Sequence, residues 1–196
     1  AVATPNATDD SYTVNANGFL TVNAAAGLLA NDTGFNVATH RLESFDTFSQ
    51  YGARVQVSAD GSFTYDPPAG FRGMDTFGYT VRSTTGARSA VVSVDVSGEL
   101  VWFVNTSAAA GGDGTFDAPF NSLGSLNGSS GAGDVDAAND TIFIYAATYS
   151  GVEFDLEAGQ RLIGQAAGLD LVGTQNDIAA GAAPVLVNAG GFPVIE

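Results

Sequence analysis

Asp60-Gly61-Ser62-Phe63-Thr64-Tyr65-Asp66-Pro67-Pro68, followed by Phe71-Arg72-Gly73-Met74-Asp75-Thr76-Phe77-Gly78-Tyr79-Thr80-Val81, decides the fold class of this chain. Asp-Gly opens a tight turn, and Phe63 and Tyr65 then alternate onto one face. Pro67 has no N–H to give to a ladder, so the strand stops there. Phe77, Tyr79 and Val81 repeat the period of two, with Asp75 at the start of the strand and Tyr79 placed as a core or corner tyrosine. The same texture extends outward. Ser11 to Val14, Phe19 to Val22, Arg54 to Val57 and Ala90 to Val96 are further short alternating runs, parted by Gly, Asn, Asp and Pro clusters. About seven such strands in roughly a hundred residues is the pattern of an all-β sandwich. Ala24 to Leu29 reads as a single helical turn, and His40-Arg41 as an exposed polar pair in a loop.

Composition narrows the function. The 196 residues hold 21 acids against six bases, all Arg, for a net charge of −15, with one His and neither Lys nor Cys. So negative a surface repels phosphate backbones and anionic lipid, which argues against nucleic-acid and membrane-surface partners. The missing Cys removes disulfides, thiolate chemistry and Cys-based metal sites, and one His cannot make a multi-histidine centre. Hydrophobic residues at 45% supply a core, unlike a disordered acidic tail. No run approaches the roughly 20 apolar residues of a membrane span. The start carries no Met, basic region or cleavage signal, and Val194-Ile195-Glu196 stops inside an apolar stretch, so the sequence reads as a piece of a larger protein.

A seam at Val96-Ser97-Gly98 divides the chain into expected domains 1–98 and 99–196. The first holds nine acids and five Arg, net −4; the second holds twelve acids and only Arg161, net −11. In the second, strand-like runs fall at Leu100 to Val104, Thr141 to Tyr145, Val152 to Leu156 and Arg161 to Gly164, with weaker ones at Leu169 to Val172, Pro184 to Val187 and Pro193 to Ile195. Runs starting near 142, 152 and 161 predict a coil of three strands that repeats roughly 30 residues on, as in a solenoid.

The residues of the first half carry a specific resemblance. Asp9-Asp10-Ser11-Tyr12, Gly27-Leu28-Leu29-Ala30-Asn31-Asp32, the Asp60 to Pro67 segment and Phe71-x-Gly73-x-Asp75-x-Phe77-x-Tyr79-x-Val81 resemble the bacterial Ig-like, cadherin-like tandem repeats of large secreted adhesins and RTX-type surface proteins. The resemblance covers about residues 8–97. It departs at Asp46 to Tyr51, where Phe45, Phe48 and Tyr51 make an aromatic-rich stretch in place of a shorter, more polar connection. It implies a load-bearing or spacing β-sandwich, often with Ca²⁺ at inter-domain joints. Calcium takes six to eight oxygen ligands, and Asp9, Asp10, Asn31, Asp32 and Asp75 are the oxygen donors at the matching positions. The alternative for each is an Asx residue capping a turn.

In the second half, Val101-Trp102-Phe103-Val104-Asn105, Gly111-Gly112-Asp113-Gly114-Thr115 with Ala118-Pro119-Phe120, Asn139-Asp140-Thr141-Ile142-Phe143-Ile144-Tyr145, Ala147-Thr148-Tyr149 and Gln160-Arg161-Leu162-Ile163-Gly164 resemble the start of a right-handed parallel β-helix of the pectin-lyase-like type. The expected fold class is thus all-β, an Ig-like, cadherin-like sandwich followed by a truncated parallel β-helix. Gly111 to Thr115 lacks the Gly-Lys-Ser/Thr ending of a phosphate loop. Asp134, Asp136 and Asp140 form a second, weaker candidate calcium set, without EF-hand spacing.

Catalysis is not expected. Elimination on a uronate needs a base and a cation, and Arg161 alone serves poorly. Hydrolysis needs two facing carboxylates, and Glu153, Asp155 and Glu157 share strand faces as exposed acids do by default. His40 has no nucleophile elbow to serve. The expected function is therefore structural or adhesive, in an extracellular or cell-surface protein of attachment, biofilm matrix, filament or surface layer. Its partners are neighbouring domains, further copies, or surface carbohydrate or protein. The alternative is a carbohydrate-binding or carbohydrate-cleaving β-helix whose groove is completed downstream.

Overall fold

A computed structural model of the chain describes residues 5–34, 40–126, 134–150, 156–169, 178–182 and 184–187. The chain divides into two compact units: Ala1–Val14 with Phe19–Ser97, and Asn15–Gly18 with Gly98–Glu196.

The first unit is built from β1 (Asp10–Asn15), β2 (Leu20–Val22), β3 (His40–Phe45), β4 (Arg54–Val57), β5 (Phe63–Asp66), β6 (Gly73–Ser83) and β7 (Gly86–Ser97). They form a four-stranded sheet, β1-β7-β6-β3, and a three-stranded sheet, β2-β5-β4. The two inner faces meet through aromatic rings. Phe63 lies edge-on to Phe77 at 5.7 Å, and Tyr65 stacks on Phe77 at 6.4 Å. Alternation does the sorting: Phe77, Tyr79, Val81, Val92, Val94 and Val96 are buried while their neighbours look outward. The runs around the Asp60 turn, β4 and β6 are strands as expected. β3 is not: His40-Arg41, expected in a loop, opens a strand that pairs antiparallel with β6, His40 opposite Ser83. Its other residues are exposed apart from half-buried Leu42 and Phe45, so this edge strand shows little alternation.

The turn residues tie the β4–β5 turn to the segment that follows β2. Asp60 Oδ1 accepts from Ser62 N at 3.0 Å and Ser62 Oγ at 2.7 Å. The turn then presents Gly61 O to Leu28 N at 3.0 Å. Gly27 permits that approach, since a Cβ there would lie 2.3 Å from Gly61 O. The expected helical turn at Ala24 to Leu29 is a run of β-turns closed by Ala26 N to Asn23 O and Ala30 N to Gly27 O.

The second unit contains β8 (Val101–Val104), β9 (Thr141–Ile144), β10 (Thr148–Ser150), β11 (Arg161–Gly164) and β12 (Val185–Val187). All pairing between these strands is parallel. β8-β9-β11 stack in phase, Val101 beside Thr141 beside Arg161, and β10 pairs with β12, Thr148 beside Val185. β8 and β9 are buried along their whole length, the continuous apolar pattern of parallel strands covered on both faces. On one face Phe103, Phe143, Val101 and Leu169 cluster with Phe116 and Ile163. On the other, Trp102 stacks on Phe120 at 6.0 Å.

The expected three-strand coil is corrected here. The run at 161 stacks directly on the run at 141, so the chain returns to the same sheet after 20 residues, not roughly 30. The return is set by the turn at 158–159, where Asn139 N donates to Ala158 O at 3.1 Å and Arg161 N to Asp140 O at 3.1 Å. The expected runs at 152–156 and 193–195 fall wholly or mainly outside the described residues, as does 170–172 of the run at 169. Among the described residues the only helical elements are 3-10 turns at Leu123–Leu126 and Gln165–Ala167. No helix among them is long and apolar enough to cross a membrane.

Candidate functional site

The most chemically loaded place in the first unit lies where the start of β1, the Asn31-Asp32 turn and the middle of β6 converge. Asp32 Oδ1 accepts from Thr8 N at 2.8 Å and from Tyr79 OH at 3.2 Å. Tyr79 OH also donates to Leu28 O at 2.7 Å, so one core tyrosine ties the turn to the sheet. Asn31 Nδ2 donates to Asp9 O at 3.2 Å.

Burial raises both carboxyls. Asp10 is pushed up to about 6 by desolvation, opposed by Tyr79 and Asn31 and reinforced by the charges of Asp32 and Asp9. Asp32 is raised by desolvation, opposed by the Thr8 amide and Tyr79. The Tyr79 hydroxyl is itself driven up by burial and then by the two carboxylates. The decisive detail is an unmet demand: Asp10 Oδ2 and Asp32 Oδ2 are both buried and accept no hydrogen bond. A buried carboxylate oxygen without a partner is costly. A divalent cation with oxygen ligands would relieve both.

Not all the expected ligands meet there. Asp9 turns its carboxylate to β7, accepting from Val91 N at 2.9 Å. Asp75 lies on the same face of β6 as Tyr79, but four residues away, about 13 Å at ~3.3 Å per residue. Fully buried, it accepts from Tyr65 OH at 2.7 Å, Tyr51 N at 3.1 Å, Thr76 N at 2.8 Å and Ser49 Oγ. Both its oxygens are engaged, and it works as a clamp on the 49–51 loop. Among the described residues no three His or acidic side chains converge as a metal cluster. The residues that fit a cation are thus Asp10 and Asp32, with Asn31 beside them. Sequence reading placed Tyr79 in the core but missed that its hydroxyl points into this acid pair.

In the second unit, Asp140 Oδ2 accepts from Trp102 Nε1 at 3.0 Å and Ala137 N at 2.9 Å, anchoring the only tryptophan of the chain. Asp136 Oδ2 accepts from Gln160 Nε2 at 2.6 Å. Its carboxyl is raised by burial and by the adjoining Asp134 carboxyl. Thr115 N and Oγ1 both turn to Asp113 Oδ1, at 3.2 and 2.8 Å, so the Gly-rich segment closes on itself. Arg161 is paired with Glu99 at 3.0 Å, and Glu99 also accepts from Thr141 Oγ1. Glu153 and Asp155, and the side chain of His40, lie outside the described residues.

The comparison with curated proteins found no match. Residues 3–98, which span the two-sheet first unit, match the family model of the bacterial cadherin-like domain.

Proposed function

We propose that the chain is a structural and adhesive piece of an extracellular or cell-surface protein, in which the cadherin-like sandwich spaces or anchors neighbouring modules. The match over residues 3–98 carries this reading. Calcium is its proposed stabiliser, held by Asp10 and Asp32 with Asn31 beside them. The support is the pair of buried oxygens left without donors. Bound there, the ion would neutralise two desolvated carboxylates and join β1 to the 31–32 turn.

For the second unit the proposal is the beginning of a right-handed parallel β-helix. In-phase parallel stacking of β8, β9 and β11, the parallel pair β10-β12 and the fully buried apolar runs support it. We read it as a non-catalytic scaffold: its single Arg is held in an ion pair with Glu99. Partners then are adjoining domains, other copies of the chain, or a surface carbohydrate or protein.

Calorimetric titration of the chelator-stripped chain with Ca²⁺ tests the proposal. Binding heat that Asp10→Asn and Asp32→Asn each abolish is expected. Heat that survives in both variants, or none in the unsubstituted chain, would overturn the assignment.

A further inference from the structure

We propose that a groove on the outer face of the four-stranded sheet binds a neutral pyranose sugar of a surface polysaccharide. The groove has a volume of about 380 Å³ and is lined by Phe48 and Val91 together with Asp46, Gln50, Thr76 and Gly78, and with Ser49 and Phe77. Phe48 is 62% exposed and Val91 46% exposed, which leaves apolar surface in water on both sides of a polar floor. The stretch that supplies Phe48 is the aromatic-rich Asp46 to Tyr51 segment, where the sequence departs from the repeats it resembles.

The segment is fixed before any ligand arrives. Asp46 pairs with Gly78 through both backbone and side chain, accepting from Gly78 N at 2.7 Å and donating its own N–H to Gly78 O at 2.9 Å. Gln50 N donates to Thr76 O at 2.8 Å, and buried Asp75 holds Tyr51 N and Ser49 Oγ. Such preorganisation lowers the entropic cost of binding.

The lining chemistry selects the ligand. An exposed aromatic ring offers a face for the C–H surface of a sugar ring. One Asp46 oxygen is held by Gly78, and the carboxylate retains acceptor capacity for hydroxyl protons. Thr76 Oγ1 donates to Gln50 Oε1 at 3.2 Å, so the Gln50 NH₂ remains as a donor. A strip of hydroxyls continues the groove along the strands, Thr76 beside Ser93 and Thr80 bonded to Ser89 at 2.8 Å. The lining holds one carboxylate and no cation, in a chain of net charge −15, which disfavours uronates and sulfated chains. The floor is open because Gly78 has no side chain; a Cβ there would lie 3.2 Å from Asp46 Oδ2.

This goes beyond the spacer reading and fails separately from it, since no calcium ligand lines the groove. The test is affinity electrophoresis of the whole chain through gels containing laminarin, dextran, galactomannan or alginate. Retardation by at least one of the three neutral polysaccharides is expected, with little by alginate. Phe48→Ala should weaken it at least tenfold while leaving the melting temperature nearly unchanged, and Gly78→Leu should weaken it by filling the floor. Absence of retardation by all three, undiminished binding by Phe48→Ala, or equal binding of alginate would overturn the proposal. So would concentration-dependent self-association in sedimentation that Phe48→Ala abolishes, which would give this face to a second copy.

Discussion

Asp75 and Asp10 are two carboxyls of one sandwich that meet burial in opposite ways. Asp75 is surrounded by four donors, from Ser49, Tyr51, Tyr65 and Thr76. Asp75→Ala should therefore strand several buried donors and cost at least about 2–4 kcal/mol, since each buried donor left unsatisfied costs ~1–3 kcal/mol. Urea unfolding of the variant measures it, and a loss under about 0.5 kcal/mol would deny Asp75 its role as clamp. Asp10, by contrast, keeps an oxygen without a donor and is raised from its ordinary 3.8 to about 6. The folded state thus binds more protons than the unfolded one between those values, and stability from this group is complete below about 4 and lost as pH rises through about 6. Asp136, raised in the same direction, adds to the slope. In chelator, the melting temperature should fall between pH 5 and pH 8; with Ca²⁺ the fall should be reduced, because the ion binds the ionised carboxylates. A melting temperature that rises over this range in chelator would contradict the assignment.

Elements were legible where turn chemistry brackets an alternating run. β4 and β11 are found at the residues the sequence marks, and β6 extends its marked run at both ends. β3 escaped because Arg41, Glu43 and Ser44 face solvent on an edge, so hydrophobic period carries no signal there. The acids of the candidate site were legible as oxygen donors. Which of them would meet was not, because Asp75 and Tyr79 share a strand face whose length alone keeps them apart. The crossing of Gly27 and Gly61 gives an element-scale prediction. Gly27→Ala puts a methyl 2.3 Å from Gly61 O, so β5 and its turn must shift. A cost of about 1–3 kcal/mol is expected from such overpacking, read as a lower urea midpoint with unchanged slope. In the second unit, Phe143 sits between Phe103 at 6.2 Å and Tyr145 at 5.2 Å. Phe143→Ala should cost about 3–5 kcal/mol, reported by the fluorescence of Trp102, the chain's only tryptophan. A neutral result would mean that β9 is not at the centre of this core.

Charge and ion demand belong to the whole molecule. The net −15 is unevenly held, −4 in residues 1–98 and −11 in residues 99–196, with no Lys anywhere. So uneven a negative charge repels like-charged copies, and a cation bound at the buried acids would offset their local cost. The central claim is that the cadherin-like domain is stabilised by calcium at Asp10 and Asp32. Scanning calorimetry of the whole chain in saturating Ca²⁺ and in EGTA, for the unsubstituted protein and for Asp10→Asn, tests it most directly. At a hundredfold excess over Kd the ion adds about 2.7 kcal/mol, which for a domain near 100 residues raises Tm by on the order of 10 °C. The account predicts that rise in the unsubstituted chain and its loss in Asp10→Asn. An identical melting curve in Ca²⁺ and EGTA, or a rise of equal size in the variant, would contradict it.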